Sequence, residues 1–289
     1  MGIELDLNQT TDVNSTNWRG SLDLVYACDR HTTQLIHSQN QAPLKVQRPF
    51  YPESPDICHS VILHTAGGVV GGDRLSLNFH LQAKAKVLIT TAAASKIYRS
   101  NGKIAKQTVQ IQVDAGAYLE WLPQETIVFN GAVYRQDLRV ELAPGASWLG
   151  WEITRFGRSA RGERFSSGEW RSHTEIWQQG SPLWIDRQWL PGVTEILDSP
   201  HGLAGKSLVG SLVWIGREIS PQIVEKVRSL WQKQDAQGEA GVTRLQSGLL
   251  CRYRGDSTIE VRNWFMDVWQ LLRLSFSDRP SCPPRVWPI

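Results

Sequence analysis

The sequence predicts a mainly β fold, with a body of stacked, β-helix-like strands and two α-helices near the C-terminus. Composition indicates this, because 24 Gly, 14 Pro and many Val, Thr and Trp residues favour strands and turns over helices. A strand–turn–strand pattern recurs about every 30 residues in the middle of the chain. Helical spacing of apolar residues occurs only in the last third.

Length and charge limit the classes of function. The 289 residues carry 31 Lys and Arg against 28 Asp and Glu, a formal net charge of +3. A chain of this length buries enough surface to fold without disulfides or a structural metal. The small positive excess argues against a protein that holds nucleic acid by neutralising phosphates. No run of about 18 apolar residues is present, so we expect no membrane-spanning segment.

We expect residues 1–17 to form a flexible leader and residues 18–289 to form a single domain. The leader has three acids and lacks the apolar core of a secretory signal. The four cysteines are far apart and include no Cys-X-X-Cys pair: Cys28, Cys58, Cys251 and Cys282. Such spacing fits reduced thiols better than a disulfide framework or a structural zinc site. We therefore expect a cytoplasmic protein.

The N-terminal region is predicted to contain short strands separated by loops. Alternation of apolar and polar residues predicts strands over 21–28 and 32–36, and an apolar run predicts another over 58–64. Three prolines occur within ten residues, between Pro43 and Pro52. They favour an extended edge or a loop there over a helix.

The middle of the chain contains three similar units, each an alternating strand, a turn of small residues and a second apolar strand. The units begin at Leu75, Val109 and Leu138, and their turns place alanines at 85, 117 and 146, which are 32 and 29 residues apart. This period predicts stacked β units, either a solenoid or a sandwich built from repeated hairpins. An antiparallel sheet with irregularly spaced hairpins is the simpler alternative.

The last third combines strands with the first of the two helices. Apolar runs predict strands over 208–215 and 249–253. Between them, Ser220 and Pro221 have the order of an N-cap followed by a first-turn proline. The apolar stripe that comes next predicts a helix, which ends before two nearby glycines.

The second helix is expected to begin at Asp256 or Ser257 and to run to about Phe276. Its polar residues fall on one narrow stripe, and the remaining positions are mostly apolar. A helix that is apolar on most sides is either buried between layers or in contact with a partner. The tail over 279–289 has too many prolines for regular structure.

The segment 67–73 (GGVVGGD) is the first candidate for a ligand-binding loop. A phosphate-binding loop has a lysine directly after the second glycine of its motif, whereas Asp73 stands there and would repel phosphate. The dinucleotide-binding spacing also fails, because residue 69 is valine. The segment is better explained as a tight double turn between strands, which needs positive φ at glycine.

Histidine and cysteine form no convincing metal site in the sequence. Cys58 and His64 share one face of a predicted strand but lie about 20 Å apart at roughly 3.3 Å per residue. His59 points to the other face of that strand. The motifs of zinc proteases, serine hydrolases and cysteine nucleophiles are missing from the sequence. The signal for an enzyme is therefore poor.

A basic segment over 155–164 carries four arginines and one glutamate. It is either a solvated loop between strands or a patch that binds an anion or an acidic partner. The second interpretation rests on the ability of a guanidinium group to pair bidentately with carboxylates. The sequence leaves both interpretations open.

Seven segments, in order along the chain, resemble the motif series of one known family. They are 47–52 (QRPFYP), 64–73 (HTAGGVVGGD), 90–100 (TTAAASKIYRS), 119–125 (LEWLPQE), 157–163 (GRSARGE), 267–273 (DVWQLLR) and 284–287 (PRVW). The family is urease accessory protein D, also called UreH, and the likeness runs from about residue 18 to the end. One departure is Thr65-Ala66, where the family often has prolines or a Pro-Gly-Gly turn.

The resemblance implies a non-enzymatic scaffold or chaperone of urease maturation, with no tightly bound cofactor. Members of the family bind urease accessory protein F and the GTPase urease accessory protein G, and dock them on the urease apoprotein. The assembly inserts nickel into urease during GTP hydrolysis, and urease accessory protein E supplies the nickel indirectly. Nickel crosses the family protein as transient cargo through an internal passage. The implied fold is a β-rich stack with two helices, and neither nucleic acid nor a membrane is an implied partner.

A passage that hands nickel onward must not trap it. Imidazole and thiolate bind nickel tightly, whereas carboxylate and water ligands are weaker and exchange more readily. The candidate nickel-transit residues are therefore acids within or near the motifs: Glu53, Asp73, Glu120, Glu125, Glu163 and Asp186. We put Asp73, Glu53 and Glu163 first, and Asp73 leads because it directly follows the glycine turn. Each acid has an alternative role as a turn cap, a salt-bridge partner or an exposed charge.

The alternative function is a β-solenoid enzyme that acts on an elongated substrate with a carboxylate pair. Glu120 and Glu125 are the candidate pair, because general acid–base chemistry often uses two carboxylates. They lie on opposite faces if the strand continues through both, and Pro123 makes a continuous strand doubtful. This geometry favours the scaffold over the enzyme.

Overall fold

The computed structural model describes residues 17–287, so the predicted leader lies outside the described residues except for Asn17. In chain order the strands are β1 (Arg19–Asp29), β2 (Thr32–Gln41), β3 (Leu44–Val46), β4 (Ile57–His64), β5 (Arg74–Leu81), β6 (Lys86–Thr91), β7 (Ser95–Ile97), β8 (Ala105–Val113), β9 (Tyr118–Trp121), β10 (Thr126–Val128), β11 (Val133–Leu142), β12 (Ser147–Phe156), β13 (Glu169–Gln178), β14 (Ser181–Pro191), β15 (Leu208–Ile215), β16 (Glu239–Leu245) and β17 (Gly248–Gly255). The α-helices are α1 (Thr194–Asp198), α2 (Pro221–Gln232) and α3 (Thr258–Ser277).

The strands form two sheets. The first sheet has the order β14-β13-β11-β8-β5-β1-β2, and all strands between its two edges run parallel. The second sheet follows the order β16-β17-β15-β12-β9-β6-β4-β3, in which β12, β9, β6 and β4 are parallel. The short strands β7 and β10 pair with each other beside β12.

Successive strands of each repeated unit belong to different sheets. β5, β8 and β11 lie in the first sheet, and the strands that follow them, β6, β9 and β12, lie in the second. Each unit is therefore one coil of a solenoid, and its two strands pair in parallel with the equivalent strands of the neighbouring units. This confirms the predicted stack of β units. A sandwich of repeated hairpins is wrong for this region, because a strand pairs with its equivalent in the next unit and not with its own successor.

The alanine of each unit makes the turn between the two sheets. Ala85, Ala117 and Ala146 are fully buried, and the amide of each donates to the carbonyl three residues earlier. The amides of Tyr118 and Ser147 donate to the carbonyls of Ala85 and Ala117, so neighbouring turns are also linked. A small side chain suits these positions because the turns stack closely on one another.

The two predicted C-terminal helices are confirmed. α2 begins at Pro221, and the Ser220 side chain accepts an amide N–H from its first turn. α3 follows Ser257, whose side chain accepts the amide N–H of Glu260, so Ser257 and not Asp256 is the cap. The sequence did not predict α1, because five residues are too few to show a helical apolar period.

Two apolar layers stabilise the fold. The first lies between the sheets and consists of the inward residues of the alternating strands. The second lies between the second sheet and the helices α2 and α3, where Trp264, Phe265 and Trp269 are fully buried. Burial of each of these side chains contributes about 2–3 kcal/mol. Burial within the chain therefore explains most of the apolar character of α3, although Ile259 and Leu274 are exposed.

The sequence did not predict several strands and strand ends. β2 continues to Gln41 instead of ending at residue 36, and the proline-rich segment includes the short strand β3. The hairpin β13–β14 and the edge strand β16 were not predicted, because their residues are of mixed polarity. All four cysteines are free, as expected. None of the helices in the described region is long and apolar enough to cross a membrane.

Candidate functional site

A cavity of about 540 Å³ lies between the two sheets. Its wall beside β5 is apolar and includes Leu75 and Leu77. Its wall beside β11, β13 and β14 is polar and includes Gln136, Ser172 and Asp186. The cavity therefore changes from apolar to polar along the stack of coils.

The register of the first sheet explains this change. Leu75, Gln107, Gln136 and Ser172 are successive partners across β5, β8, β11 and β13. Partnered residues project to the same side of a sheet, and all four line the cavity. Because three of the four are polar, this row brings amide and hydroxyl groups into a space that is otherwise an apolar core.

Glu152 of β12 brings a carboxylate from the second sheet into the cavity. It accepts hydrogen bonds from the hydroxyls of Thr154 (3.1 Å) and Ser172 (3.0 Å), and the Ser172 bond joins the two sheets. Burial raises the pKa of Glu152 to about 7; the two hydroxyl hydrogen bonds oppose this rise and nearby Asp186 adds to it. Glu152 was not predicted from the sequence, although an acid inside an apolar strand was an available signal.

Asp186, one of the candidate acids, lies on the cavity wall formed by β14. It forms a 2.7 Å salt bridge with Arg252, which also donates to the Ser211 hydroxyl at 2.8 Å. Since Arg252 lies on β17, this contact is a second link between the sheets. The carboxyl groups of Glu152 and Asp186 thus lie on two sides of the cavity, and the lining also includes Asp137 and Lys96. Charges of both signs make the cavity a polar space that suits water or hydrated species.

Some polar atoms of the cavity wall have no protein partner: His64 Nε2, Gln124 Nε2 and Trp148 Nε1. His64 Nδ1 lies 3.1 Å from the carbonyl oxygen of Ala66. Because a carbonyl only accepts, Nδ1 carries the hydrogen and Nε2 of the neutral ring keeps its lone pair. These atoms need water or a passing ligand to complete their hydrogen bonds, so the cavity suits hydrated species.

Asp73, the leading candidate acid, holds the glycine turn in place. It is 1% exposed, and its two carboxylate oxygens accept the amide N–H groups of Trp18 and Val70, both at 2.9 Å. The turn has the positive φ that the sequence predicts, with +98° at Gly72. Asp73 therefore ties the residue before β1 to the turn that precedes β5.

Glu53 and Glu120 belong to one buried network, the α3 joint, which fastens α3 to the second sheet. Arg273 of α3 donates to both carboxylates over 2.6–3.0 Å. His59 Nε2 lies 2.8 Å from Glu53, and the Trp269 indole donates to Glu120 at 2.7 Å. Burial by itself would raise the pKa of Glu53, but hydrogen bonds from His59 and Arg273 hold it below its ordinary value.

Glu163 and Glu125 also form contacts within the fold. Glu163 accepts the amide N–H of Asn130 at 3.0 Å and the Nε–H of Arg158 at 2.7 Å. Burial opposes ionisation of Glu163, yet its hydrogen bonds to Arg158 keep its pKa below the ordinary value. Glu125 forms a 2.5 Å salt bridge with Arg262 of α3.

The three leading acids are not brought together. Asp73 lies in the turn before β5, Glu53 in the α3 joint and Glu163 after β12, and each contacts different partners. Within residues 17–287, no group of three or more His, Cys, Asp or Glu side chains could hold a metal ion. Their role in nickel transit stays a prediction.

The carboxylate pair of the alternative enzyme is not available to a substrate. Glu120 is 1% exposed and bound by Arg273, while Glu125 is bound by Arg262. An elongated substrate cannot reach a carboxylate that is buried under a helix. The geometry therefore gives no support to this alternative.

The basic segment 155–164 is used mainly inside the fold. Arg155 donates to the Asp256 carbonyl at 3.0 Å and to the Thr258 hydroxyl at 2.7 Å, at the start of α3. Arg158 pairs with Glu163, as described above. Arg164 pairs with Asp198 at the end of α1. Arg155 and Arg164 thus join neighbouring elements and Arg158 pairs within the segment, so three of the four arginines already have partners in the fold.

Comparison with known proteins shows the family to which this sequence belongs. The family model described as UreD urease accessory protein matches residues 19–288. The chain belongs to the UreD family. Relatives named urease accessory protein UreD include those of Nostoc punctiforme (72% identity over 272 residues, 94% of this chain and 96% of the relative), Trichormus variabilis (70% over 270, 93% and 96%) and Acaryochloris marina (59% over 283, 98% and 99%).

Membership of the UreD family confirms the resemblance that the motifs indicated, and it gives the chain a role in urease maturation. The structure shows what several of these motifs do. Segments 119–125 and 267–273, together with Glu53, meet in the α3 joint. Trp287, in the last motif, donates to the Thr90 hydroxyl at 2.8 Å. Much of the family signature therefore secures the C-terminal helix and tail.

Proposed function

We propose that this chain is a non-catalytic scaffold of urease maturation that acts in the cytoplasm. It binds urease accessory protein F and the GTPase urease accessory protein G, and it docks with them on the urease apoprotein. Nickel, supplied indirectly by urease accessory protein E, crosses the chain as transient cargo and is not retained. The observation that carries this proposal is membership of the UreD family over residues 19–288.

In this proposal the nickel passage is the cavity between the sheets. Its polar wall offers carboxylate, hydroxyl and amide oxygens from residues such as Glu152, Ser172 and Gln136. Oxygen ligands bind nickel more weakly than thiolates and exchange more readily, which suits transit. Asp73, Glu53 and Glu163 stay candidate transit acids, each tested by its effect on nickel delivery apart from its effect on stability.

A matched pair of substitutions tests the passage. Thr174 of β13 lines the cavity, whereas Thr108 of β8 belongs to the outward row of the same sheet. Thr174→Phe should obstruct the cavity, so urease matured with it should contain several-fold less nickel per active site and show proportionally lower activity. Thr108→Phe should mature urease as the unaltered chain does.

A pull-down of the complete assembly and a thermal unfolding curve accompany both variants. Loss of nickel delivery with an intact assembly and an unchanged unfolding temperature supports the passage. Full nickel loading with Thr174→Phe at limiting nickel would place the route elsewhere. Failure of the unaltered chain to promote urease activation would overturn the scaffold function itself.

A further inference from the structure

A row of basic residues crosses the outer face of the first sheet. Its members are register partners on five adjacent strands: Arg19 of β1, Arg74 of β5, Lys106 of β8, Arg135 of β11 and Arg171 of β13. We call this set the cationic row. The residues come from distant parts of the sequence, and the parallel coils alone align them.

The cationic row faces away from the cavity. In each strand a residue next to the basic one is buried: it is the following residue for Arg19 and Arg74, and the preceding residue for Lys106, Arg135 and Arg171. Because successive side chains of a strand point to opposite faces, each basic side chain points outward. Arg19, Arg74, Arg135 and Arg171 are exposed. At about 4.8 Å between neighbouring strands, the five side chains extend over roughly 19 Å. Such a length matches the contact of a protein surface and not that of a single small anion.

The positive charge of the cationic row is only partly balanced. Asp137 pairs with both Lys106 and Arg135 at 2.9 Å, and Glu169 pairs with Arg171 at 2.8 Å. Among the described residues, neither Arg19 nor Arg74 has a salt-bridge partner. The cationic row thus has five positive charges and only two pairing carboxylates, on Asp137 and Glu169.

An exposed tryptophan extends the cationic row at the sheet edge. Trp189 of β14 is the register partner of Arg171 and is 61% exposed, with the Arg171 guanidinium 5.4 Å from its ring centre. Val193 and Ile196, just beyond β14, are also exposed apolar residues. Tryptophan and arginine are the residue types most enriched at the energetic centres of protein interfaces.

We propose that the cationic row and Trp189 form a docking surface for an acidic protein surface in the urease-maturation assembly, an inference that rests on the proposed function. The partner presents carboxylates opposite Arg19 and Arg74 and an apolar contact for Trp189. Arginine forks pair bidentately with such carboxylates. A nucleic acid fits less well, because Asp137 and Glu169 interrupt the row and would repel phosphates.

Charge reversal at the uncompensated end tests the proposal. The double variant Arg19→Glu, Arg74→Glu changes two exposed positions, and Trp189→Ala removes the apolar contact. The control, Arg217→Glu with Lys226→Glu, makes the same change of net charge at exposed positions in and before α2. The probes are purified urease apoprotein, urease accessory protein F and urease accessory protein G, with dissociation constants measured at low and high salt.

For at least one of the probes we expect the double variant and Trp189→Ala each to weaken binding more than tenfold at low salt. The control should change binding less than threefold, and the double variant should bind with reduced salt dependence. Equal dissociation constants for the double variant and the control, with every probe, would overturn the proposal. If that happens while the unaltered chain still activates urease, only the docking surface fails.

The acidic leader of the same chain is the competing occupant, because its acids are close in sequence to Arg19. A chain that lacks residues 1–16 separates the two. If the double variant weakens partner binding equally with and without the leader, the partner is the occupant. If the double variant lowers the unfolding temperature only when the leader is present and leaves every dissociation constant unchanged, the leader is the occupant and the proposal is overturned.

Discussion

At the scale of single residues, the carboxyl groups of Asp73 and Glu152 have different surroundings: Asp73 is buried in a turn, and Glu152 is half-buried on the cavity wall. Both carboxylate oxygens of Asp73 accept backbone amide N–H groups, so the side chain is fixed by two hydrogen bonds. Glu152 accepts two hydroxyl hydrogen bonds inside a cavity, and burial raises its pKa to about 7. The first is suited to a fixed structural role, and the second to a group that changes charge near neutral pH.

Asp73→Asn should destabilise the chain. The asparagine side chain keeps one acceptor oxygen, but its NH₂ group cannot accept a hydrogen bond. The backbone N–H of either Trp18 or Val70 therefore loses its acceptor and is left unpaired. We expect a loss of about 1–3 kcal/mol in the free energy of unfolding, measured by urea denaturation. Asp267→Asn, at an exposed position on α3, is the control and should change stability by less than about 0.5 kcal/mol.

The same variant tests the predicted transit role of Asp73. Urease maturation at limiting nickel is measured beside a pull-down of the assembly. Reduced nickel content with an intact assembly would assign Asp73 an ionic role in delivery. Loss of stability and of the assembly together would show a structural role only, and normal delivery would remove Asp73 from the route.

Glu152 should make stability depend on pH. Below about pH 4.5 the carboxyl is protonated in the folded and unfolded chain alike. Between that value and about 7 the unfolded chain releases the proton while the folded chain keeps it, so the free energy of unfolding falls as pH rises. Above about pH 7 the loss is constant and amounts to at most about 3 kcal/mol.

Glu152→Gln removes this titration. Relative to the unaltered chain, the variant should gain stability between pH 5 and pH 8, which urea denaturation across that range measures. Glu141→Gln, on the exposed face of β11, is the control and should show no such gain. A stability difference that stays constant with pH would show that Glu152 is ionised throughout in the folded chain.

At the scale of elements, the α3 joint decides how the C-terminal helix sits on the second sheet. Apolar contact brings α3 to the sheet, but it does not specify one orientation. Arg273 reaches Glu53 and Glu120 at once, from a helix to two separate places on the β body. We expect this buried charged contact to select one register of the helix, because any other register would leave charges unpaired.

Arg273→Leu should be strongly destabilising. It leaves the carboxylates of Glu53 and Glu120 buried without their cation, which costs about 3–5 kcal/mol. Arg164→Leu, which removes an exposed pair with Asp198, should cost less than about 1 kcal/mol. Adding Glu120→Gln to Arg273→Leu should recover part of the loss, since one uncompensated charge is then gone. A loss below 1 kcal/mol for Arg273→Leu would contradict this account.

At the scale of the whole molecule, the chain should bind neither GTP nor ATP by itself. The glycine turn that most resembles a nucleotide loop is occupied by its own carboxylate, because Asp73 accepts the amide of Val70. Isothermal titration calorimetry of the isolated chain should detect no binding at micromolar concentrations. A stoichiometric nucleotide complex in that range would refute the prediction and would bring nucleotide chemistry into this chain.

The sequence predicted the elements that depend on local or periodic patterns. The Ala85, Ala117 and Ala146 period predicted the coils, and the Ser220 and Ser257 regions predicted both C-terminal helices. It did not predict the hairpin β13–β14, whose mixed polarity reflects two different surroundings. The candidate acids were recognised from their motifs, but the sequence could not show that Glu53 and Glu120 share one arginine across more than 150 residues of chain.

By itself the sequence determined the fold class, the family and the turn at Asp73, because periodicity, motif order and turn chemistry involve neighbouring residues. Tertiary structure alone decided which side chains share a space. It brought Glu152 of one sheet and Asp186 of the other to one cavity, and it aligned Arg19 with Arg171. The physical reason is strand register: parallel coils pair residues about 30 positions apart, and only the paired backbone specifies which residues become neighbours.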